Sequence, residues 1–371
     1  MSSKKDRFSS QDINFMKLAI NLARSRKGLT GDNPSVGCLI VKNDKIISIG
    51  QTGFNGRPHA ETNAINNAFE NLSGSKMYVT LEPCNHYGIT PPCTKKIIES
   101  GIKEIIFSIN DIDKKVKGKS FKILTKKNIK VKTGLLKKEV LDLYKSYFVN
   151  RIYKLPFVTA KIAVSKNKLI YSKGTKRITN KLSDKISHYL RFKNDAIMIS
   201  INTLNVDNPR LDSRLKNFKN YSLKRIILDK NLDIKFSSYI FKSSRNKNTI
   251  IFHNSNKISK EQILRKKGIL LIKTKLDTEK RLNLIFVLKK IFSIGVRHLL
   301  IEGGDKLTKS LLNLRLVDEF YLFKGSKILS KSKKHLIFTS NDILKKKYNI
   351  KSKITSNLAK DNITIYKRQN V

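Results

Sequence analysis

The 371 residues carry 77 Lys+Arg against 28 Asp+Glu, a formal net charge of +49, with 39% hydrophobic residues and only 17 Gly and 7 Pro. That length predicts two domains with cores of their own, and that composition excludes a disordered or low-complexity chain. No run approaches the ~18 apolar residues a membrane helix needs, Met1 to Ser10 has no secretory h-region, and three cysteines make no disulfide framework.

A cytoplasmic protein with no membrane partner is expected. The charge assigns no partner by itself. Lysines are spread from Lys4 to Lys367, Lys dominates Arg, and Trp is absent. That is the pattern of an AT-rich coding sequence, so nucleic acid is not the expected partner. Anionic small molecules suit the field equally well.

An amphipathic helix is predicted over about Asp12–Ser25, where Phe15, Leu18, Ala19 and Leu22 recur at helical spacing. The turn-rich stretch Gly28–Pro34 leads to strands at Val36–Val41 and Lys45–Gly50, then a helix at Ala60–Leu72. A strand at Met77–Leu81, a helix at Pro92–Ser100 closed by Gly101, and a strand at Glu104–Ile109 follow. A weaker helix–strand pair, Phe121–Lys126 and Ile129–Val131, precedes a helix at Lys137–Lys145. The second half opens near Tyr153 with a strand at Phe157–Val164 and a helix at Asn180–Phe192. Strands are predicted at Ala196–Ser200, Arg225–Leu228, Thr249–Phe252 and Ile269–Ile272, then a helix at Leu282–Phe292. His298–Glu302 is a strand running into Gly303-Gly304-Asp305 and a helix, and Val317–Phe323 is a further strand. Strands alternating with helices predict two α/β domains, residues 1–150 and 151–371.

Chemistry concentrates in His59-Ala60-Glu61, Pro83-Cys84 and Pro91-Pro92-Cys93. One imidazole and two thiolates form a three-ligand set suited to zinc, with the fourth tetrahedral position left for water. Zinc lowers the pKa of that water to roughly 7, and Glu61 stands to move protons without binding the metal. Residues i and i+2 in mid-helix face different sides, so His59 must sit at the helix edge. Pro91-Pro92 sets Cys93 in a first helical turn, where the dipole and the metal favour thiolate. Each residue alone reads as ordinary core or surface. In the order H-x-E…P-C…P-C they form the zinc-deaminase signature with its acid/base glutamate. Cys38, inside a strand, reads as core. His86 either touches substrate or is incidental.

Common nucleobase deaminases have two residues between the cysteines; here there are eight, Asn85 to Pro92. The run Thr80 to Cys93 (TLEPCNHYGITPPC), with Asp32-Asn33-Pro34-Ser35-Val36-Gly37-Cys38 and Arg57-Pro58-His59-Ala60-Glu61, closely resembles the bifunctional riboflavin-biosynthesis deaminase/reductase family. The resemblance covers nearly the whole chain. It implies a cytidine-deaminase-like first domain with one Zn2+ per chain and a dihydrofolate-reductase-like second domain using NADPH. The implied substrate is a diaminopyrimidinone ribosylamino phosphate, deaminated by zinc-activated hydroxide with Glu61 shuttling protons. Its ribose is then reduced to a ribityl chain. Family members usually self-associate, so a homo-oligomer is implied.

By the same resemblance, Ala163, Arg177, Thr203, Asp207 and Gly304 contact the cofactor. Lys161, Thr175, Arg191, Leu211, Arg214 and Glu302 contact the substrate. The stretch Thr203 to Pro209 reads as a contacting loop. Arg191 and Arg214 are a candidate clamp for the sugar phosphate through paired donors, or plain solvated charges. Gly303-Gly304 lets backbone N–H groups approach a phosphate at a helix N-terminus, or simply serves a tight turn.

Departures from the family pattern concentrate in the second half. Where Ser-Leu-Asp-Gly is usual, the chain has Ser165-Lys166-Asn167-Lys168. Arg177 replaces a Trp, and Thr52 replaces a His before the zinc helix. Two alternatives follow: an active deaminase joined to a non-catalytic reductase-like domain, and a nucleic-acid-binding base deaminase that uses the charge.

Overall fold

The computed structural model describes residues 8–172, 177–215, 223–331, 335–348, 350–354 and 358–368. Its internal contacts divide the chain into two units, with the division between Tyr153 and Lys154.

The first unit opens with α1 (Ser10–Arg26), whose start is fixed by a capping box. Ser9 Oγ accepts from Asp12 N at 3.0 Å, and Ser9 N donates to the Asp12 carboxylate at 2.9 Å. There follow β1 (Gly37–Lys42), β2 (Lys45–Gln51), α2 (Ala60–Asn66), β3 (Lys76–Leu81), α3 (Cys93–Glu99), β4 (Glu104–Ile109), α4 (Lys119–Lys126), β5 (Lys130–Thr133), α5 (Lys137–Leu143) and α6 (Lys145–Phe148). The sheet order is β2-β1-β3-β4-β5. The first two pairings are antiparallel and the last two parallel.

Two glycines let helices lie directly on this sheet. A Cβ on Gly37 would stand 2.0 Å from Ala19 O of α1, and one on Gly50 would stand 2.1 Å from Ala60 O of α2. The small residues facing them, Ala19, Ala23, Ala60 and Ala64, are buried. α2 ends at Asn66 rather than at the predicted Leu72. Asn66 and Asn67 are poor helix formers, and Phe69 is 98% exposed, so the apolar face does not continue.

The second unit contains β6 (Phe157–Val164), β7 (Leu169–Ser172), α7 (Lys181–Phe192), β8 (Ala196–Ser200), α8 (Ile201–Asp207), β9 (Lys224–Leu228), α9 (Tyr239–Ser243), β10 (Thr249–His253) and α10 (Ile258–Lys266). It continues with β11 (Leu270–Lys273), α11 (Leu284–Ser293), β12 (His298–Ile301), α12 (Asp305–Asn313), β13 (Glu319–Lys324), β14 (His335–Ile337), α13 (Asn341–Lys347), β15 (Ile350–Lys353) and β16 (Asn362–Lys367). Nine strands form one sheet, β11-β10-β9-β8-β12-β6-β13-β16-β15, parallel as far as β13. β16 and β15 then run antiparallel.

Both faces of the parallel part are buried, as helices on each side require. On β8, Ala196 and Met198 join one core while Ile197 and Ile199 join the other. Each such side chain removed from water contributes ~1.5–3 kcal/mol. β12 inserts between β8 and β6, and the chain leaves β8 for β9 and β12 for β13, toward opposite edges. Ligands of open parallel sheets bind at the carboxyl ends of strands at such a switch. Ser200, Glu302 and the end of β6 lie there.

Candidate zinc centre and second-domain site

α2 begins as the chemistry requires. His59 is its N-cap, with extended backbone (φ −68°, ψ 158°), so its ring leaves before regular winding and shares a site with Glu61 two residues on. Cys93 is the first residue of α3, after the N-cap Pro92. Cys84 follows the end of β3. The ligand atoms of His59, Cys84 and Cys93 all lie within 4.8 Å of one another. His59 Nδ1 is 3.3 Å from Cys93 Sγ and 3.5 Å from Cys84 Sγ. Nitrogen and sulfur at zinc-bond lengths and tetrahedral angles stand roughly 3.5 Å apart. The donor set fits the ion, through Nδ1 rather than Nε2.

Without a metal the two thiols shift in opposite directions. The Cys84 thiol is pushed down to about 4, first by the hydrogen bond from Cys93 Sγ and then by His59 and the Cys93 backbone. Cys93 N donates to Cys84 Sγ at 3.2 Å. The same contact and burial push the Cys93 thiol up. Without a metal the proton shared by the two sulfurs stays on Cys93, whose N–H also points at Cys84 Sγ; a bound cation would favour thiolate on both. Glu61 is buried, and burial raises its carboxyl to about 7.

Residues outside the ligand set hold it in place, and Glu82 is the one sequence reasoning passed over. Its carboxylate accepts from the backbone N–H groups of Asp111, Gly118 and Ser120 at 3.2, 2.9 and 3.1 Å. Ser120 Oγ donates to Pro83 O, and the Asn85 amide donates to Val116 O and Ser120 Oγ. The strand end bearing Cys84 is thus stitched to the 111–120 loop on both sides. The only sequence signal was a glutamate in the quoted run, with nothing to mark its partners. Thr52 accepts from Val36 N and donates to Pro34 O, a structural role. Cys38 is fully buried in β1. His86 has a buried Nδ1 with no hydrogen-bond partner among the described residues.

In the second unit, Arg191 at the end of α7 donates from Nε and Nη2 to the two oxygens of Glu302, each at 2.8 Å, and from Nη1 to Asp212 O at 3.0 Å. Its fork is therefore committed to Glu302. Arg214 itself is exposed, with Nε 3.5 Å from Asp212 Oδ1. Burial pushes the Glu302 carboxyl up, but the charge and hydrogen bonds of Arg191, then the charge of Lys161, bring it down to about 2. Lys161, on β6, has its amine pushed down by burial, opposed by Glu302. Lys161, Arg191 and Glu302 are brought into one electrostatic cluster.

The stretch read as a loop from Thr203 is a helix. Ser200 caps α8, accepting from Thr203 N, and Asn208 ends it in the left-handed region with φ +41°. Asp207 is the last residue of α8 and exposed, and Leu211 is buried at φ +57°. Ala163 is partly exposed near the end of β6. Arg177 is exposed and 3.4 Å from Asp184. Gly304 is the N-cap of α12 without a side-chain cap, and a Cβ there would meet nothing within 4 Å. That open approach to an uncapped helix start fits a dinucleotide phosphate. Thr175 lies outside the described residues.

The departing run Ser165 to Lys168 keeps a tight turn. Asn167 Oδ1 accepts from Ser165 Oγ (2.7 Å) and Leu329 N (3.1 Å), and its Nδ2 donates to Leu329 O (2.8 Å). Lys168 takes φ +65°, where the family pattern has glycine.

Comparison with known proteins agrees with both halves. Residues 9–109 match the cytidine and deoxycytidylate deaminase zinc-binding region, and residues 156–364 match the RibD C-terminal domain. The chain is 33% identical to a riboflavin biosynthesis protein RibD of Aquifex aeolicus, over 96% of this chain and 98% of that one. It is 47% identical to a diaminohydroxyphosphoribosylamino-pyrimidine deaminase of Buchnera aphidicola, over 41% of this chain and 99% of that one. Among solved structures, a deaminase/reductase of Thermotoga maritima superposes with a TM-score of 0.80 at 29% identity, covering 96% of this chain and 99% of that one. Neither alternative is favoured by these relatives. No helix of the described residues is long and apolar enough to cross a membrane. The chain belongs to the RibD family of riboflavin biosynthesis proteins, bifunctional enzymes in which a zinc-binding deaminase domain precedes a reductase domain.

Proposed function

We propose that residues 1–150 remove the ring amino group of a diaminopyrimidinone ribosylamino phosphate, and that residues 151–371 reduce the ribose of the product with NADPH. The observation that carries this reading is the convergence of His59 Nδ1, Cys84 Sγ and Cys93 Sγ beside the buried Glu61. These three residues would hold the zinc ion. When bound, zinc supplies a water whose pKa falls to roughly 7. Glu61 takes a proton onto its carboxylate and returns it to the departing nitrogen, so that ring amine and water become ring carbonyl and ammonia. Burial raises this carboxyl, which favours its holding the proton between the two transfers.

In the second domain NADPH supplies a hydride, and the protein supplies position and one proton. Lys161, Arg191 and Glu302 surround the reacting sugar, with Lys161 as the proton source beside the Glu302 carboxylate. Thr175 and Leu211 add substrate contacts, and Arg214 binds the sugar phosphate with its exposed guanidinium. Ala163, Arg177, Thr203, Asp207 and Gly304 contact the cofactor, Gly304 through the N-terminus of α12. The turn kept by Asn167 and Lys168 supports an active reductase. A cytoplasmic, self-associating enzyme completes the reading. The test is oxidation of NADPH, followed by its absorbance, with the deaminated substrate. Turnover is expected, and no oxidation by the folded protein would leave only the hydrolytic half.

A further inference from the structure

One segment touches both ends of the second-domain site. Lys327 O accepts from Lys166 N at 2.8 Å, and Leu329 exchanges two hydrogen bonds with the Asn167 amide. Further on, β14 pairs antiparallel with β7, and Phe338 N donates to Lys168 O at 2.9 Å. The next two residues reach α12. Asp305 Oδ1 accepts from Thr339 N (3.1 Å) and Ser340 Oγ (2.8 Å), and its Oδ2 accepts from Thr339 Oγ1.

Asp305 occupies a place where a carboxylate would compete with an incoming phosphate. It is the first residue of α12, directly after the uncapped Gly304, and the first helical hydrogen bond is Thr308 N to Gly304 O. The N–H groups before Thr308 form the positive end that would receive a phosphate. A carboxylate at that end competes with the phosphate for the same donors and repels it. Here both carboxylate oxygens are bonded to Thr339 and Ser340, three donors from outside the helix.

We propose that Asp305 is a positioning residue, and that Thr339 and Ser340 hold its carboxylate off the Gly304 end of α12, keeping that end open for a cofactor phosphate. The inference rests on reading Gly303-Gly304 as the cofactor-phosphate loop. It assigns Thr339 and Ser340 a function in cofactor affinity, though neither would touch the cofactor.

The test is a fluorescence titration of the full chain with NADPH, without substrate, with melting temperatures recorded for each variant. The Thr339→Val/Ser340→Ala double variant removes both hydroxyl donors, leaving only the Thr339 N–H on Oδ1 and nothing outside the helix on Oδ2, and should weaken NADPH binding by about fivefold. Adding Asp305→Asn to that double variant removes the charge and should restore binding to within about twofold of the parent. Thr339→Ser keeps the hydroxyl and should bind as the parent does. Parent-like affinity in the double variant, or weaker binding in the triple than in the double, would overturn the proposal, since Asp305 would then only fasten the segment. A loss in Thr339→Ser as large as in the double variant would overturn it as well. Failure of the parent itself to bind NADPH would instead remove the reading of the glycine loop beneath it.

Discussion

Arg191 and Glu302 are 111 residues apart in sequence and share two parallel hydrogen bonds of 2.8 Å at the carboxyl end of the second sheet. Both side chains are largely buried, at 13% and 15% exposure. Fork-to-fork pairing of this kind is geometrically exacting. It holds Glu302 ionised beside Lys161.

Removing one partner should leave a buried charge uncompensated. Arg191→Met is expected to destabilise the second unit by ~3–5 kcal/mol, read as a lower denaturant midpoint at pH 7. Arg191→Lys should recover only part of this, because a lysine cannot fill both oxygens.

The same pair sets an acid limit. Glu302 titrates at about 2 when folded, against roughly 4.3 in an unfolded chain. Its folded value is depressed, so its contribution is fully present above about pH 4.3 and is lost as pH falls through about 2. The parent should therefore lose stability between those limits relative to Glu302→Gln. Equal slopes of stability against pH in the two proteins would contradict the assignment.

Gly50 couples the sheet to the zinc ligands. Gly50→Ala places a Cβ 2.1 Å from Ala60 O, so α2 must move, and His59 and Glu61 move with it. A cost of ~1–3 kcal/mol is expected from overpacking, together with zinc affinity lowered by about tenfold or more, measured by competition with a chelator. Oxidation of NADPH should be unaffected.

Asn167 tests whether the departing turn is adapted or degenerate. Asn167→Asp removes the donor to Leu329 O and sets a carboxylate against that carbonyl. A loss of ~1–3 kcal/mol follows if the amide is required, with slower NADPH oxidation and unchanged ammonia release. Improved reduction by Asn167→Asp would show instead that the missing acidic group limits the reaction.

Legibility in the sequence followed the range of the interactions. The apolar spacing of α1, the strands β4 and β6, and the H-x-E…P-C…P-C set are local patterns, and each was readable from spacing and residue type. α8 was read as a loop because its seven residues include Asn205, Val206 and Asp207, poor helix formers. β14 to β16 went unseen, since β15 is exposed throughout and its lysines mask any alternation. Glu82, Asn167 and Arg191 act through partners 29 to 162 residues away. Such roles become visible only when the chain is folded.

The most direct measurement is metal content taken together with ammonia release, in the parent and in Cys84→Ser and Glu61→Gln. One zinc per chain and steady ammonia release are expected of the parent, and Cys84→Ser should lose both. Glu61→Gln should keep the metal and lose ~10²–10⁴ in rate. Ammonia release at the parent's rate from metal-free Cys84→Ser would contradict the zinc-centred site at His59, Cys84 and Cys93.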